Sequence, residues 1–275
     1  MKFVRFGPQR LAAISILIFA LILSDCATQS SPGAFAPNSQ VISTKQKTFY
    51  YTGARQFFTV PAGVTKITIT ADGASGANIG EYAGGRGGLV TATVPATPDE
   101  SLAVVVGGSG SDGGFNGGGT SVGSSSYPGA NGGGESDVRV DATGRRIVVA
   151  GGGGGAGAPS GSNYYCSGFY CSPNPAPSMS SQNGSGGNGG GSEAANGRPG
   201  STGPYETRAG HGGDGGTQSS GGNGGRGGGG SGSCSGTAGH AGIRHTGGSA
   251  GGGCYAGWGG GGGGGYYGGG GCGCH

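Results

Sequence analysis

Apolar positions divide the chain into three unlike stretches. Residues 11–23 are apolar apart from Ser15, with Ile14, Ile16, Leu17, Ile18 and Phe19 at the centre. Residues 48–150 show short runs of period two. Thr65 to Ala71 sets Ile67, Ile69 and Ala71 on one side and Lys66, Thr68 and Thr70 on the other, the pattern of a half-buried strand. Leu89 to Val94 alternates in the same way, and Leu102 to Val106 is short, apolar and β-branched. Asp137 to Asp141, Arg146 to Ala150, Phe49 to Tyr51 and Gln56 to Val60 complete a set of strand-like runs. Turn chemistry separates them at Pro61-Ala62-Gly63, Pro98-Asp99 and Thr143-Gly144. Short strands at this spacing predict an all-β fold of sandwich or jelly-roll type. No helix-period segment follows the first apolar run.

The third stretch, residues 151–275, has no valine and no leucine, and only Ile243, Phe169, Met179 and Trp258 among its larger non-tyrosine apolar groups. An ordinary core cannot be built from it, and composition alone predicts disorder. Glycine placement points elsewhere. Glycine supplies 77 of 275 residues, and in Gly221-Gly222-Asn223-Gly224-Gly225-Arg226-Gly227-Gly228 the non-glycine residue recurs at every third position. His211, Asp214 and Thr217 share that register, and Asn188 is flanked by glycines in the same way. Three residues per turn is the period of a left-handed extended helix that makes no internal hydrogen bonds. With two bare faces, such helices can approach to backbone contact. The sequence therefore predicts a bundle of polyglycine-II helices, with Asn223 and Arg226 pointing outward.

The N-terminal run has the length of a signal-peptide core and follows the positive residues Lys2, Arg5 and Arg10. It is short of the roughly 20 apolar residues that span a bilayer, although a retained short anchor is the alternative. Cys26 follows at once in Leu23-Ser24-Asp25-Cys26-Ala27, which resembles a bacterial lipobox with Asp25 where the pattern carries a small residue. That resemblance implies a lipid on Cys26; ordinary cleavage a little later is the other option. Residues 1–25 are expected to be the signal and 26–47 a polar tether. They leave 48–150 as the β-rich part and 151–275 as the glycine-rich part.

Of 7 cysteines, setting Cys26 aside leaves Cys166, Cys171, Cys234, Cys254, Cys272 and Cys274, an even set suited to disulfides in an oxidising compartment. Their pairing is open. The formal charge of +3 falls to +1 for residues 26–275, so charge gives no support for a nucleic-acid partner.

Several motifs carry little. Gly107 to Asp112 matches the start of a calcium-binding repeat, but occurs once where stacked copies are needed. Cys272, Cys274 and His275 fit no standard zinc spacing, and the expectation is no metal and no cofactor. The Gly-Gly-Arg-Gly-Gly segments at Arg86 and Arg226 are too sparse for an arginine–glycine box. His211, His240, His245 and His275 sit in glycine-rich or terminal settings, and no set of nucleophile, base and orienting group is visible, so no enzyme is expected. Tyr255, Trp258, Tyr266 and Tyr267 form an aromatic group near the end: a contact patch for protein or glycan, or packing of the bundle against the β part.

In order along the chain, several blocks resemble the glycine-rich domain of the anaplastic lymphoma kinase and leukocyte tyrosine kinase receptors, and of secreted bacterial proteins sharing it. These are Gln56-Phe57-Phe58-Thr59-Val60-Pro61, the strand to Ala71 with Asp72-Gly73-Ala74-Ser75-Gly76, Gly84-Gly85-Arg86-Gly87-Gly88, Leu102 to Gly108, Arg146 to Gly155, and Trp258 with Tyr266-Tyr267-Gly268-Gly269. The resemblance covers about residues 48–271. It implies a tumour-necrosis-factor-like β subdomain joined to a polyglycine-II bundle, and recognition outside the cell. It does not imply kinase activity, since the catalytic-loop and Asp-Phe-Gly motifs are absent.

The expected protein is an exported structural or adhesive module of the cell envelope, binding a surface protein or glycan. A phage-tip-like receptor-binding adhesin and a secreted hydrolase are the rivals. Replacing Cys26→Ala should release the protein from the membrane fraction, read by fractionation and by loss of acyl label. Unchanged partitioning would remove the lipid anchor.

Overall fold

A computed structural model describes residues 13–19, 45–80, 82–121, 129–157, 164–167, 170–173, 185–189, 194–199, 206–208, 210–227, 229–230, 236–252 and 259–272. Residues 13–19, 45, 164–167, 170–173, 206–208 and 229–230 are described by backbone alone. The described structure is all-β: its one helical turn is a 3-10 segment at Gly110–Asp112, capped by Ser109.

Eight strands build two four-stranded antiparallel sheets. They are β1 (Ala13–Phe19), β2 (Lys45–Tyr50), β3 (Gln56–Thr59), β4 (Lys66–Asp72), β5 (Leu89–Pro95), β6 (Ser101–Val105), β7 (Ser136–Val140) and β8 (Arg146–Ala150). One sheet has the order β2-β1-β4-β5 and the other β3-β6-β7-β8. The seven alternating runs of residues 48–150 all become strands, and β2 also takes in the end of the expected tether.

The alternation explains the core. Ile67, Ile69 and Ala71 from β4, Leu102 and Val104 from β6, Val138 and Val140 from β7, and Val148 and Ala150 from β8 form one cluster with Phe49, Phe58, Val60 and Val64. Phe49 and Phe58 meet edge to face at 6.4 Å, a favoured aromatic arrangement. The opposite face of β4 and β5 is polar, with Thr68 bonded to Thr93 (2.8 Å) and Thr70 to Thr91 (3.1 Å). Both partners come from directly opposed positions, the unit of sheet stabilisation.

Residues 13–19, read above as the centre of a signal, form the strand between β2 and β4. Ile14, Ile16 and Ile18 are the register partners of Ala71, Ile69 and Ile67. A short apolar run of this length satisfies the requirements of both a signal core and a buried strand, so periodicity does not separate them.

Outside the sheets, glycine segments hold one another through their main chains. The bonds recur at every third residue. Gly152 and Gly155 donate to Gly264 O and Gly261 O, both at 2.7 Å. Gly222 and Gly225 donate to Gly268 O and Gly271 O, and Gly239 and Gly242 to Gly225 O and Gly222 O. Neighbouring segments run both parallel and antiparallel. Segment 268–272 is bonded to segments 259–264, 211–217, 236–243, 185–189, 221–226 and 247–251, so it is surrounded. Segment 260–264 is likewise bonded to segments 130–134, 247–251, 185–189, 117–121, 151–156 and 268–272.

Segments from both sides of residue 150 take part. Segments 73–77 and 151–156 continue directly from β4 and β8, while 85–88 and 130–134 lead towards β5 and β7.

The packing leaves no room for a side chain at the contact positions. A methyl on Gly262 would overlap the carbonyl oxygen of Gly269, and one on Gly270 that of Asn223. Asn223 itself is exposed and bonds outward to Asp214 Oδ2 (3.0 Å). Gly222→Ala or Gly224→Ala should therefore each cost about 1–3 kcal/mol through overlap with neighbouring main chain. Asn223→Ala between them should stay within about 0.5 kcal/mol. Denaturant titration of the three variants checks the expectation; equal effects at all three would remove the period-three packing.

Candidate functional site

Where β7 and β8 meet the glycine segments, five ionisable groups converge. Glu135 precedes β7, Asp137 and Arg139 follow at alternate positions, and Arg146 begins β8. Alternation puts Glu135, Asp137 and Arg139 on the face opposite Val138 and Val140, which enter the apolar core. His245 comes from the turn between Ile243 and Thr246 and has a left-handed backbone, φ 66°. Glu135 and Asp137 are fully buried.

Asp137 is the best-satisfied member. Arg139 forks onto it through Nε and through Nη2, the latter at 2.8 Å. Asn116, itself at φ 67°, donates from Nδ2 to Asp137 Oδ2 (2.9 Å) and to the Glu135 carbonyl (2.7 Å). Its side-chain oxygen accepts from Arg139 Nη2 (3.0 Å). Asn116 thus ties its loop to β7 through three of the four hydrogen bonds its amide can make.

Glu135 is held less well. Its Oε1 lies 2.8 Å from Arg146 Nη2 and 3.5 Å from His245 Nδ1. Neither carboxyl oxygen has an aligned hydrogen bond among the described residues, nor do Arg146 Nε and His245 Nδ1. Burial, then the adjacent Asp137 charge, outweigh the arginines and push the Glu135 carboxyl up to about 8. Burial, then the Arg146 and Arg244 charges, bring the His245 imidazole down to about 4. Near neutrality Glu135 is therefore mostly protonated and His245 neutral.

Above this cluster lies an open depression of about 950 Å³. Leu89 to Ala92 of β5 and Arg146 to Val149 of β8 form one wall; Arg86, Asn188, Gln218 and Tyr266 contribute from the glycine segments. Arg86 is exposed on the rim, and Leu89 is 67% exposed, the largest value among the exposed large apolar residues. Arg146 thus links the buried carboxylates to the floor of the depression.

Tyr266 is pinned beside it. Its hydroxyl accepts from Arg244 Nη2 (3.0 Å), and the Arg244 guanidinium lies 5.2 Å from its ring centre. His245 and Tyr267 meet the same ring edge to face at 5.5 and 5.7 Å.

Of the aromatic group expected from sequence, Tyr266 and Tyr267 come together, half-buried; Tyr255 and Trp258 lie outside the described residues. So do Cys26, Cys234, Cys254 and Cys274. Cys272 is fully buried, and its N–H donates to Gly260 O (3.1 Å). Cys166 and Cys171 are directly opposed in a hairpin of strands Tyr164–Ser167 and Tyr170–Pro173.

Sequence reasoning missed the charge cluster. The signal available was Glu135-x-Asp137-x-Arg139, charged at alternate positions of one strand face. The participation of His245, dismissed above for its glycine-rich setting, has no local signature. Comparison with protein-family models, with curated proteins and with solved structures finds no match to the chain.

The two shifts set a pH profile. Glu135's folded value lies above its unfolded 4.5, so the stability it supplies is complete at low pH and is lost as pH rises through about 8. His245's folded value lies below its unfolded 6.5, so its contribution is complete at higher pH and is lost as pH falls through about 4. The trends oppose between these unfolded values; above pH 6.5 Glu135 acts alone. The denaturation midpoint should decline from pH 6.5 to 8, and Glu135→Gln should abolish that decline while sparing the acid limb. A Gln variant with the unchanged alkaline decline would assign it elsewhere.

Proposed function

We propose that this chain is an exported, non-catalytic module of the cell envelope that binds a surface protein or glycan through the depression beside Tyr266. The carrying observation is the depression's lining: exposed Arg86 and Leu89, two amide side chains and a fixed tyrosine, seated on glycine main chain and sheet. Arginine and tyrosine anchor interfaces disproportionately, and rigid placement lowers the entropic cost of binding. Asp137 beneath it is fully buried and engaged by Arg139 and Asn116, and Glu135 is fully buried against Arg146, which suits a junction better than a reactive centre.

In the finer fold, the two-sheet body is a jelly-roll of the tumour-necrosis-factor-like kind, and the glycine segments are polyglycine-II helices in a bundle. Bonds to different neighbours from successive residues, repeating every third, support that assignment. The proposal keeps the resemblance to the receptor glycine-rich domain and to secreted bacterial proteins that share it. Export is supported by the leader-like N-terminus, and a lipid on Cys26 by its position after it. A Cys166–Cys171 disulfide fits the register, since opposed strand residues bring their Cα atoms to about 4.5–5.5 Å.

The test is a protein and glycan binding screen with the wild-type protein, followed by Arg86→Ala and Leu89→Ser. Each should weaken capture of whatever is found by at least about tenfold, roughly 1.4 kcal/mol, with an unchanged melting profile. Binding unaffected by both variants would move the site away from the depression.

A further inference from the structure

The strand β1 is the segment that export would remove. It occupies an interior seat, antiparallel to β2 on one side and to β4 on the other. Six register pairs join it to each neighbour, from Ala13↔Tyr50 to Ile18↔Lys45 and from Ile14↔Ala71 to Phe19↔Lys66. Cleavage near Cys26 therefore takes away a central strand and leaves two rows of main-chain donors and acceptors facing an empty seat. The flanking strands would stand two strand spacings apart, about 9–10 Å, too far to bond directly.

Collapse of β2 onto β4 is opposed by two anchors. Phe49 is 4% exposed in the core against Phe58, and Gln56 Nε2 donates to the Tyr50 carbonyl (2.8 Å). Moving β2 by one spacing would withdraw the Phe49 ring and break that bond. On the other side the seat is bordered by Ile67, Ile69 and Ala71, all fully buried.

We propose that processing opens this seat, and that it takes a strand donated by a different exported protein. The inference rests on the export proposal above. The occupant is an uncharged extended segment of about seven residues with Ile, Val or Leu at three alternate positions. The shape of the seat sets that chemistry: Ile14, Ile16 and Ile18 stand at the register positions of Ala71, Ile69 and Ile67. Composition excludes self-donation. Outside the strands already placed, residues 26–275 contain no run with three Val, Ile or Leu residues at alternate positions, and a second copy has the same deficit. Addition of a strand supplies main-chain bonds for affinity and alternate side-chain sites for selectivity.

The experiment expresses the full-length gene in an exporting bacterial host, recovers the protein from the envelope, and measures its intact mass. The probe is a fluorescent peptide of sequence 13–19 with flanking lysines. Processed protein should bind it saturably and melt at least about 5 °C higher with peptide at saturation. The same peptide with Ile16→Asp should bind at least tenfold more weakly. Unprocessed full-length chain, refolded as a control, should bind neither.

Processed protein that binds no peptide, or binds both equally, overturns the donated strand and leaves export standing. Envelope protein whose mass retains residues 13–19 overturns the processing and the vacancy with it, and protein absent from the envelope overturns the export proposal itself.

Discussion

The described glycine segments beyond the sheets depend on a carbonyl oxygen standing where a Cβ would otherwise be. At Gly262 that oxygen belongs to Gly269, and at Gly270 to Asn223. Only a residue without a side chain admits such contact, and it admits it on several sides at once. The main chain can then send successive N–H groups to different neighbours, which is how segment 268–272 comes to be bonded on six sides. An interior is made of hydrogen bonds where composition offers no hydrocarbon.

Such an interior is not self-sufficient. A net main-chain hydrogen bond contributes on the order of 0.5–1.5 kcal/mol, while ordering a residue costs roughly 1–2 kcal/mol, and glycine loses more freedom than any other residue. The balance needs something that orders the segments in advance. Strands supply it: segments 73–77 and 151–156 leave the ends of β4 and β8, while 85–88 leads into β5 and 130–134 towards β7. The apolar core between the sheets fixes the spacing and direction of these pieces. Segments further along the chain, such as 185–189 and 260–264, bond onto the same lattice.

Different layers of this arrangement were legible to different degrees. Strand positions followed from two-residue alternation, because each face of β4 or β7 has a fixed environment. The period of three around Asn223 was legible too, since one position in three faces outward. Neighbour relations among the glycine segments were not. Gly264 donates to Gly133 and Gly263 to Gly187, and nothing local distinguishes those partners from other glycines. For the same reason His245 could not be assigned to Glu135. β1 shows the opposite difficulty: its apolar run fits two roles, and the local pattern is silent on which applies.

The charge cluster follows from the same constraint. A sheet face packed on hydrocarbon is apolar, and the inner face of β7 carries Val138 and Val140 accordingly. Its other face meets main chain, which presents N–H and C=O groups that must be satisfied. Asn116 Nδ2 donates to the Glu135 carbonyl (2.7 Å), the Glu135 N–H donates to Asn116 O (2.9 Å), and Gly264 N–H donates to Gly133 O beside them. The Asn116 amide answers the Glu135 carbonyl and Asp137 Oδ2 together, and with Asp137 buried beside it Arg139 and Arg146 must accompany it, because a removed partner would strand a charge away from water. Glu135 and His245 avoid that penalty by the cheaper route of staying neutral. The junction is polar where β7 passes from hydrocarbon on one face to glycine segments on the other, and its charges are answered by side chains, Asn116 and the two arginines.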